Sequence, residues 1–236
     1  EVSQVQSGQA FSTMIDVERI EVLRGPQNTL FGKNASAGVV NIVSRAPSDE
    51  FEASTELTAT DDDEQSVTGT VSGPLSDTLG YRLTGYYSDL DGYIKNIEGG
   101  NDLNGRESQA FRGKLLWQPG DDLDVTLSAN YMDVDENCCS MVPQYWDPRA
   151  AFILPSPLSA LLTNMLPGVP QDEENTKTGR DDGDQQESDN TGVSVKLDYR
   201  VGEHTLSSIT AYNEWNNRAG NDVDFSGRDV PGELLG

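Results

Sequence analysis

The chain has 236 residues, enough for one or two ordinary domains, and a formal net charge of −24. So acidic a surface argues against a nucleic-acid partner, because phosphate backbones are bound by basic patches. No apolar run approaches the roughly 18 residues of a membrane-spanning helix, but the strands of outer-membrane barrels alternate and would not show one.

Residues 1–47 carry equal numbers of acidic and basic side chains, and they contain two β-rich segments. Val17–Leu23 is an apolar segment interrupted by charged residues, as in a half-buried strand or a helix edge. A glycine-proline pair stops it, because proline lacks an amide donor and glycine accepts a positive φ. A short turn at Leu30–Gly32 precedes the second β-rich run, Val39–Val43. The pattern predicts a compact α+β unit whose turn geometry depends on Gly25, Pro26, Gly32 and Gly38.

From Phe51 onward, apolar and polar residues alternate, and this period of two places them on opposite faces of a strand. Seven strands are predicted, at about residues 51–60, 67–72, 81–94, 107–118, 123–131, 193–201 and 204–216. The last one alternates poorly, so its facing stays open. The apolar faces of five strands carry Leu57, Val71, Leu115, Leu127 and Val195. If the strands form a barrel, we expect these residues to point outward, toward lipid.

The predicted connections differ in length. Pro119–Asp122 and Gly202–Glu203 are tight, whereas Lys95–Gly105 and Asp135–Asp189 are long. Short periplasmic turns and long extracellular loops are typical of outer-membrane barrels. A soluble β-sandwich also alternates, but it rarely combines such long strands with so long a loop. Seven strands are too few to close a barrel whose lumen is filled by a plug, because such a barrel needs about 22 strands.

The loop Asp135–Asp189 contains a predicted helix. Ser156-Pro157 is typical of an N-cap followed by proline at the first helical position. An apolar face follows at helical spacing, made by Leu158, Leu161, Leu162, Met165 and Leu166. This helix is interpreted either as a lid over a ligand cavity or as packing between loops.

Other candidate sites are weaker. The acidic runs Asp61–Glu64 and Asp181–Glu187 lack the spacing of a calcium loop and are interpreted as solvated. Cys138 and Cys139 are adjacent, which would strain a bridge between them, and pairing with other cysteines stays open. Together with His204 they give no convincing zinc site. No hydrolase, phosphate-loop or Cys/His motif occurs, so neither an enzyme nor a cofactor nor a metal is expected.

The stretch VERIEVLRGP at residues 17–26, followed by LFG at 30–32 and GVVNIVSR at 38–45, resembles the C-terminal part of the plug domain of TonB-dependent outer-membrane receptors. The resemblance implies a mainly β fold. It consists of a partial transmembrane antiparallel β-barrel of about seven strands, preceded by the C-terminal fragment of an α+β plug. Residues 1–47 would belong to the plug and 48–236 to the barrel, within an internal fragment of a longer receptor.

The resemblance also implies active uptake of a scarce extracellular ligand at the bacterial outer membrane, energised by TonB through a segment before Glu1. Ferric siderophores are the most frequent ligands, with glycans and cobalamin as alternatives. In the family, plug arginines pair with barrel glutamates, which makes Arg24 the first candidate for a plug–barrel contact and Arg45 the second. A non-transporting binding module or adhesin and a plugless porin stay open as other classes, although neither needs the plug motif.

Overall fold

The computed structural model describes residues 14–31, 35–137, 140, 142, 173–179 and 185–220. Within these ranges no helix has the length and apolarity to cross a membrane. The elements in chain order are β1 (Val17–Arg24), α1 (Asn28–Phe31), β2 (Gly38–Ser44), β3 (Glu52–Ala59), β4 (Glu64–Ser76), β5 (Leu79–Leu90), β6 (Lys95–Asn96), β7 (Arg106–Gly120), β8 (Leu123–Glu136), β9 (Lys177–Thr178), β10 (Gln185–Val201) and β11 (His204–Gly220).

The first sheet is the antiparallel pair β1–β2, and we call residues 14–45 the N-terminal hairpin. The ladder runs from Val17 opposite Ser44 to Arg24 opposite Gly38. Gly25 follows β1 with a φ of 85°, a conformation that suits glycine, and its amide donates to the Ala37 carbonyl at 3.1 Å. Two strands flanking a turn were predicted here, and the structure adds the single helical turn α1 between them.

Gly38 is required for close backbone approach, and Gly38→Ala is expected to destabilise the N-terminal hairpin by more than about 1 kcal/mol. A Cβ at this position would lie 2.7 Å from the Leu23 carbonyl oxygen, so the backbone would have to move. Gly120→Ala is the control, because a Cβ at Gly120 meets nothing within 4 Å. The rate of proteolysis within the hairpin of the complete protein measures the effect, and equal rates in the two variants would refute the steric argument.

The second sheet has seven antiparallel strands in the order β11-β10-β8-β7-β5-β4-β3, and we call it the wall. The predicted number of strands is confirmed. The predicted boundaries were wrong at several ends, because β8 continues to Glu136 and β10 begins already at Gln185. The extension of β10 is polar on both faces, and in the extension of β8 the apolar residues Met132 and Val134 lie on the inner face instead of the outer one. Backbone pairing therefore continues where the outer-face apolar alternation has stopped. In β4, pairing also passes through Gly73 and Pro74, with a register irregularity between Pro74 and Ser76.

The wall has one polar and one apolar face, and cross-strand partners identify them. Ser72, Arg82 and Lys114 are successive partners on the face that contacts the N-terminal hairpin, which we call the inner face. The outer face carries Leu115, Leu127 and Val195 as successive partners, and Val71 and Leu57 share it. The predicted outward facing of all five apolar residues is therefore confirmed. The register also settles β11, whose Tyr212 pairs with Val193 on the outer face.

The two ends of the wall differ, as the loop lengths predicted. Two-residue turns at 77–78, 121–122 and 202–203 lie at one end, and the strand ends that flank residues 60–63, 91–105 and 137–184 lie at the other. Most large apolar side chains are exposed on the outer face. At the long-loop end, by contrast, Ile94 and Leu103 are buried and bridge each other through both backbone amides.

Hydrogen bonds tie the two long connections together. Asn137 exchanges backbone hydrogen bonds with Asn104 and Gly105, its side-chain oxygen accepts from the Gly105 amide at 2.6 Å, and its side-chain nitrogen donates to the Asp102 carbonyl at 2.8 Å. The short strands β6 and β9 add a parallel pairing between the same connections. The bases of the two long connections are therefore hydrogen-bonded to each other, and we call these contacts the loop junction.

Asn137→Ala is expected to weaken this loop junction by about 1–3 kcal/mol, because two side-chain hydrogen bonds are lost and each contributes about 0.5–1.5 kcal/mol. Hydrogen exchange of the Gly105 amide, which donates to Asn137, measures the local opening. Asn216→Ala removes a comparable but exposed hydrogen bond, to Asp189 at 3.1 Å, and serves as control. Unchanged exchange at Gly105 in Asn137→Ala would show that this side chain does not hold the junction.

Candidate functional site

A buried ion pair joins the N-terminal hairpin to the wall. Arg82 donates to both carboxylate oxygens of Asp16, from Nε at 2.7 Å and from Nη2 at 2.6 Å. The two side chains are only 8% and 6% exposed. A second carboxylate, Glu52, lies 4.0 Å from Arg82 but is 65% exposed, so it adds little. Bidentate pairing fixes the orientation of both groups as well as their separation.

Two further cations of the inner face bind backbone carbonyls of the same hairpin. Arg112 donates to the Ile15 carbonyl. Lys114 Nζ donates to the carbonyl of Ser44 at 2.9 Å, to its hydroxyl at 2.9 Å, and to the carbonyl of Arg45 at 2.8 Å. We call Arg82, Arg112 and Lys114 the wall cation cluster.

The cluster holds both ends of the hairpin. Ile15 and Asp16 lie just before β1, and Ser44 and Arg45 end β2 or follow it. The Arg45 amide donates to the Asp16 carbonyl at 3.1 Å, which closes the open end of the hairpin between the two residues that Lys114 and Arg82 contact. Alternation explains the geometry, since Arg112 and Lys114 are two residues apart on β7 and project from one face.

The segment between β2 and β3 is also held against the wall. The Ser48 amide donates to Ser72 Oγ at 2.9 Å, and the two hydroxyl oxygens are 2.8 Å apart. Ser72 is completely buried and donates to the Tyr81 carbonyl at 3.0 Å. Pro47 packs so closely on Gly80 that a Cβ there would lie 3.1 Å from the proline Cβ.

Three hydrogen-bonded side chains, Arg19, Glu21 and Asn41, lie on the surface of the hairpin. Hydrogen bonds from Arg19, and secondarily from the Asn41 amide, lower the pKa of the Glu21 carboxyl. Being exposed, this pair is expected to contribute little to stability.

The predicted site residues are distributed differently. Arg24 and Arg45 are exposed, and within the described part of the chain neither side chain forms an ion pair. Arg45 contacts the wall through its carbonyl instead. Gly25 and Gly38 lie at the turns of the hairpin, and Pro26 follows Gly25 on its surface. Outside the described residues lie Gly32, the predicted lid residues Leu158, Leu161, Leu162, Met165 and Leu166, the pair Cys138 and Cys139, and Asp181–Asp184.

The sequence interpretation missed Asp16, Arg82, Arg112 and Lys114 as a site. Their signal was weak: three cations at polar-face positions of neighbouring strands, where small hydroxyl residues predominate. Among the described residues, no three His, Cys, Asp or Glu side chains come together in a way that could hold a metal ion.

No protein-family model matches the sequence. The iron-regulated outer membrane virulence protein of Vibrio cholerae is 34% identical over 119 residues, which is 48% of this chain and 18% of that protein. The ferric enterobactin receptor PirA of Pseudomonas aeruginosa is 35% identical over 132 residues, which is 49% of this chain and 18% of that protein. The chain thus spans less than a fifth of the length of these relatives.

Solved structures share the fold over most of the chain. The ferric yersiniabactin uptake receptor FyuA of Yersinia pestis superposes with a TM-score of 0.68 at 21% identity, covering 86% of this chain and 29% of FyuA. The siderophore receptor PiuA of Acinetobacter baumannii gives a TM-score of 0.67 at 18% identity, covering 87% of this chain and 27% of PiuA. At these identities the likeness establishes the fold of the hairpin and wall.

Proposed function

Because this chain is a homologue of the TonB-dependent outer-membrane receptors, we propose that it forms part of a receptor that imports a scarce ligand across the bacterial outer membrane. The observation that carries the proposal is the hairpin with the plug motif, seated by a buried ion pair on the polar face of an amphipathic sheet. In this arrangement the apolar outer face lies against lipid, and the hairpin is a part of the plug that contacts the barrel wall. We propose no enzymatic role.

The proposed ligand is a ferric siderophore. Relatives are named as receptors for ferric enterobactin and ferrioxamine, and a structural neighbour as the receptor for ferric yersiniabactin. The proposed energy source is TonB, acting through a segment that precedes the hairpin. Glycan or cobalamin import by the same architecture is the alternative ligand class, and a non-transporting binding module or adhesin is the alternative of another class.

A ligand panel tests the proposal. Cells that produce the complete receptor as their only outer-membrane iron receptor are supplied with radioiron bound to enterobactin, ferrioxamine or yersiniabactin, and in parallel with labelled cobalamin and oligosaccharides. We expect accumulation of at least one iron complex. Uptake of cobalamin or a glycan alone would assign the alternative ligand class, and ligand binding without uptake of any compound would favour the binding module.

The predicted contacts of Arg24 and Arg45 are retained as part of the proposal, with carboxylates elsewhere in the complete barrel as their partners. Arg24→Ala is expected to loosen the plug and to raise the permeability of the outer membrane to large antibiotics, because a buried carboxylate would lose its partner. Arg19→Ala, at an exposed ion pair of the same hairpin, is the control. Equal permeability in both variants would assign Arg24 to turn geometry alone.

A further inference from the structure

The outer face of the wall contains a groove near the end where the long connections lie. Gly69 of β4 and Gly85 of β5 are cross-strand partners and form its floor. A Cβ on either glycine would meet nothing within 4 Å, so no side chain of the described residues fills the space above them. This part of the groove has a volume of about 310 Å³, and its sides are formed by Val67, Tyr87, Phe111 and Tyr131.

Gly113, another glycine of the outer face, shows that the groove is a local feature. A Cβ there would lie 3.3 Å from Leu83 Cδ2 and 3.4 Å from the ring of Phe111, so neighbouring side chains already cover this position. A glycine inside a strand gives up side-chain packing and often marks the place where a ligand or another backbone approaches closely. The uncovered pair Gly69 and Gly85 therefore indicates an occupant that is not among the described residues.

The groove continues toward the long connections and changes its chemistry on the way. Beyond Val67 and Tyr87 it opens into a second depression of about 440 Å³, whose lining on the outer face consists of Leu57, Ala59, Gln65, Val67, Tyr87 and Asp89. Gln65 and Asp89 are cross-strand partners at its far end, four residues along β5 from Gly85. The apolar floor is thus followed, about 13 Å along the strand, by an amide and a carboxylate.

In a receptor of the proposed function, the apolar length of the strands places this change at the membrane surface. The segment Leu123–Tyr131 of β8 is nine residues long, its outward side chains are apolar or aromatic, and Asp133 is the next outward residue. Leu79–Tyr87 of β5 has the same length, and Asp89 is its next outward residue. About 9–11 residues of a tilted strand cross the hydrocarbon layer. The glycine floor therefore lies in hydrocarbon, and Asp89 lies at the level of the lipid headgroups.

Resting on the transport function proposed above, we propose that the groove binds one membrane lipid with an amine-bearing headgroup. Its acyl chain lies over Gly69 and Gly85, where the sides of the groove give it more packing contacts than a flat surface would. Its ammonium group lies beside Asp89, and Glu107, the cross-strand partner of Asp89, adds a second negative charge on the same face. An anionic headgroup is repelled at this position.

Photoreactive lipids test this site in the complete receptor. The receptor is refolded into phosphatidylcholine vesicles that contain a trace of phosphatidylethanolamine with a diazirine in its acyl chain, or a trace of phosphatidylglycerol with the same chain. The first probe carries an ammonium group, and the second carries a net negative charge. After irradiation, mass spectrometry measures the labelling of Tyr87 and Phe111 in the groove and of Leu127 elsewhere on the outer face.

We expect the ratio of phosphatidylethanolamine labelling to phosphatidylglycerol labelling to be about two- to fivefold higher in the groove than at Leu127, as for an exposed ion pair. Equal ratios would overturn the proposal. Labelling of Leu127 without labelling in the groove would also overturn it and would assign the groove to another occupant, such as a second copy of the receptor. Absence of labelling from the whole outer face would overturn the membrane placement together with the groove, so failure of the proposed function is recognised separately.

Filling the floor of the groove tests the position of the acyl chain. Gly85→Leu places a side chain into open space and is expected to remove the higher ratio in the groove. Ala129→Leu adds the same side chain to the outer face outside the groove, opposite Gly113 and Val193, and is expected to leave the ratio as in the parent. A ratio unchanged by Gly85→Leu would overturn the acyl-chain site.

Asp89→Asn tests the choice of headgroup. Loss of the carboxylate charge is expected to lower the ratio in the groove toward the value at Leu127, because the ammonium group loses its partner. Asp189→Asn removes a charge from the outer face on β10, outside the groove, and is expected to leave the ratio unchanged. A ratio as high in Asp89→Asn as in the parent would overturn the assignment of an amine-bearing lipid.

Discussion

Arg82→Ala is expected to weaken the attachment of the N-terminal hairpin to the wall by about 3–5 kcal/mol, because removal of one partner leaves the other charge buried and unpaired. Asp16 is 6% exposed and receives two short hydrogen bonds from Arg82, so water does not readily replace the guanidinium. Denaturant titration of the complete receptor, followed by protease cleavage within the hairpin, measures the free energy of its release from the wall.

Two controls separate the buried pair from the general loss of a cation. Glu52→Ala removes the 4.0 Å exposed partner and is expected to cost at most about 1 kcal/mol. The double variant Asp16→Ala/Arg82→Ala leaves no unpaired charge and should be less destabilised than Arg82→Ala alone. An effect of Arg82→Ala no larger than that of Glu52→Ala would show that the buried Asp16–Arg82 pair does not hold the hairpin on the wall.

Leu127→Arg is expected to destabilise the membrane-inserted receptor by about 2–4 kcal/mol if Leu127 lies near the middle of the bilayer. Leu127 lies on the outer face, with Leu115 and Val195 as its cross-strand partners. A cation there would face hydrocarbon. Refolding titrations into lipid vesicles measure the difference from the parent.

Thr126→Arg is the matched control at the same depth. Thr126 is next to Leu127 in β8 but lies on the inner face, opposite Lys196, with Asp124 and Asp198 two residues further along the two strands. Its other cross-strand partner is Leu116 of β7, so an arginine there meets protein side chains of the inner face instead of lipid. Equal destabilisation by the two substitutions would mean that the outer face is not in contact with the bilayer.

The strands and their facing could be predicted from the sequence because they follow from a local pattern. Alternation at Leu115 and Leu127 identifies both the strand and its apolar side without knowledge of the partner strand. The strand ends could not be predicted in the same way. Glu187 and Asp189 belong to β10, but their polar surroundings carry no alternation, and only the backbone ladder to β8 and β11 shows that they are paired.

The contacts between the N-terminal hairpin and the wall could not be predicted from a local sequence pattern, for a different reason. Asp16 and Arg82 are 66 residues apart in the chain, and nothing near either residue indicates the other. The resemblance indicated Arg24 and Arg45 because plug arginines of the family pair with barrel glutamates. The structure shows the opposite polarity at the described contact, where the wall supplies the cations and the hairpin supplies a carboxylate and carbonyl oxygens.

The most direct test of the transport account compares radioiron uptake in two strains that differ only in the presence of TonB. Both produce the complete receptor as their only route for the siderophore complex selected from the ligand panel. The proposed function predicts rapid accumulation in the strain with TonB and loss of accumulation in the strain without it, while binding of the complex to the cell surface stays equal. Equal accumulation in both strains would contradict TonB-dependent import.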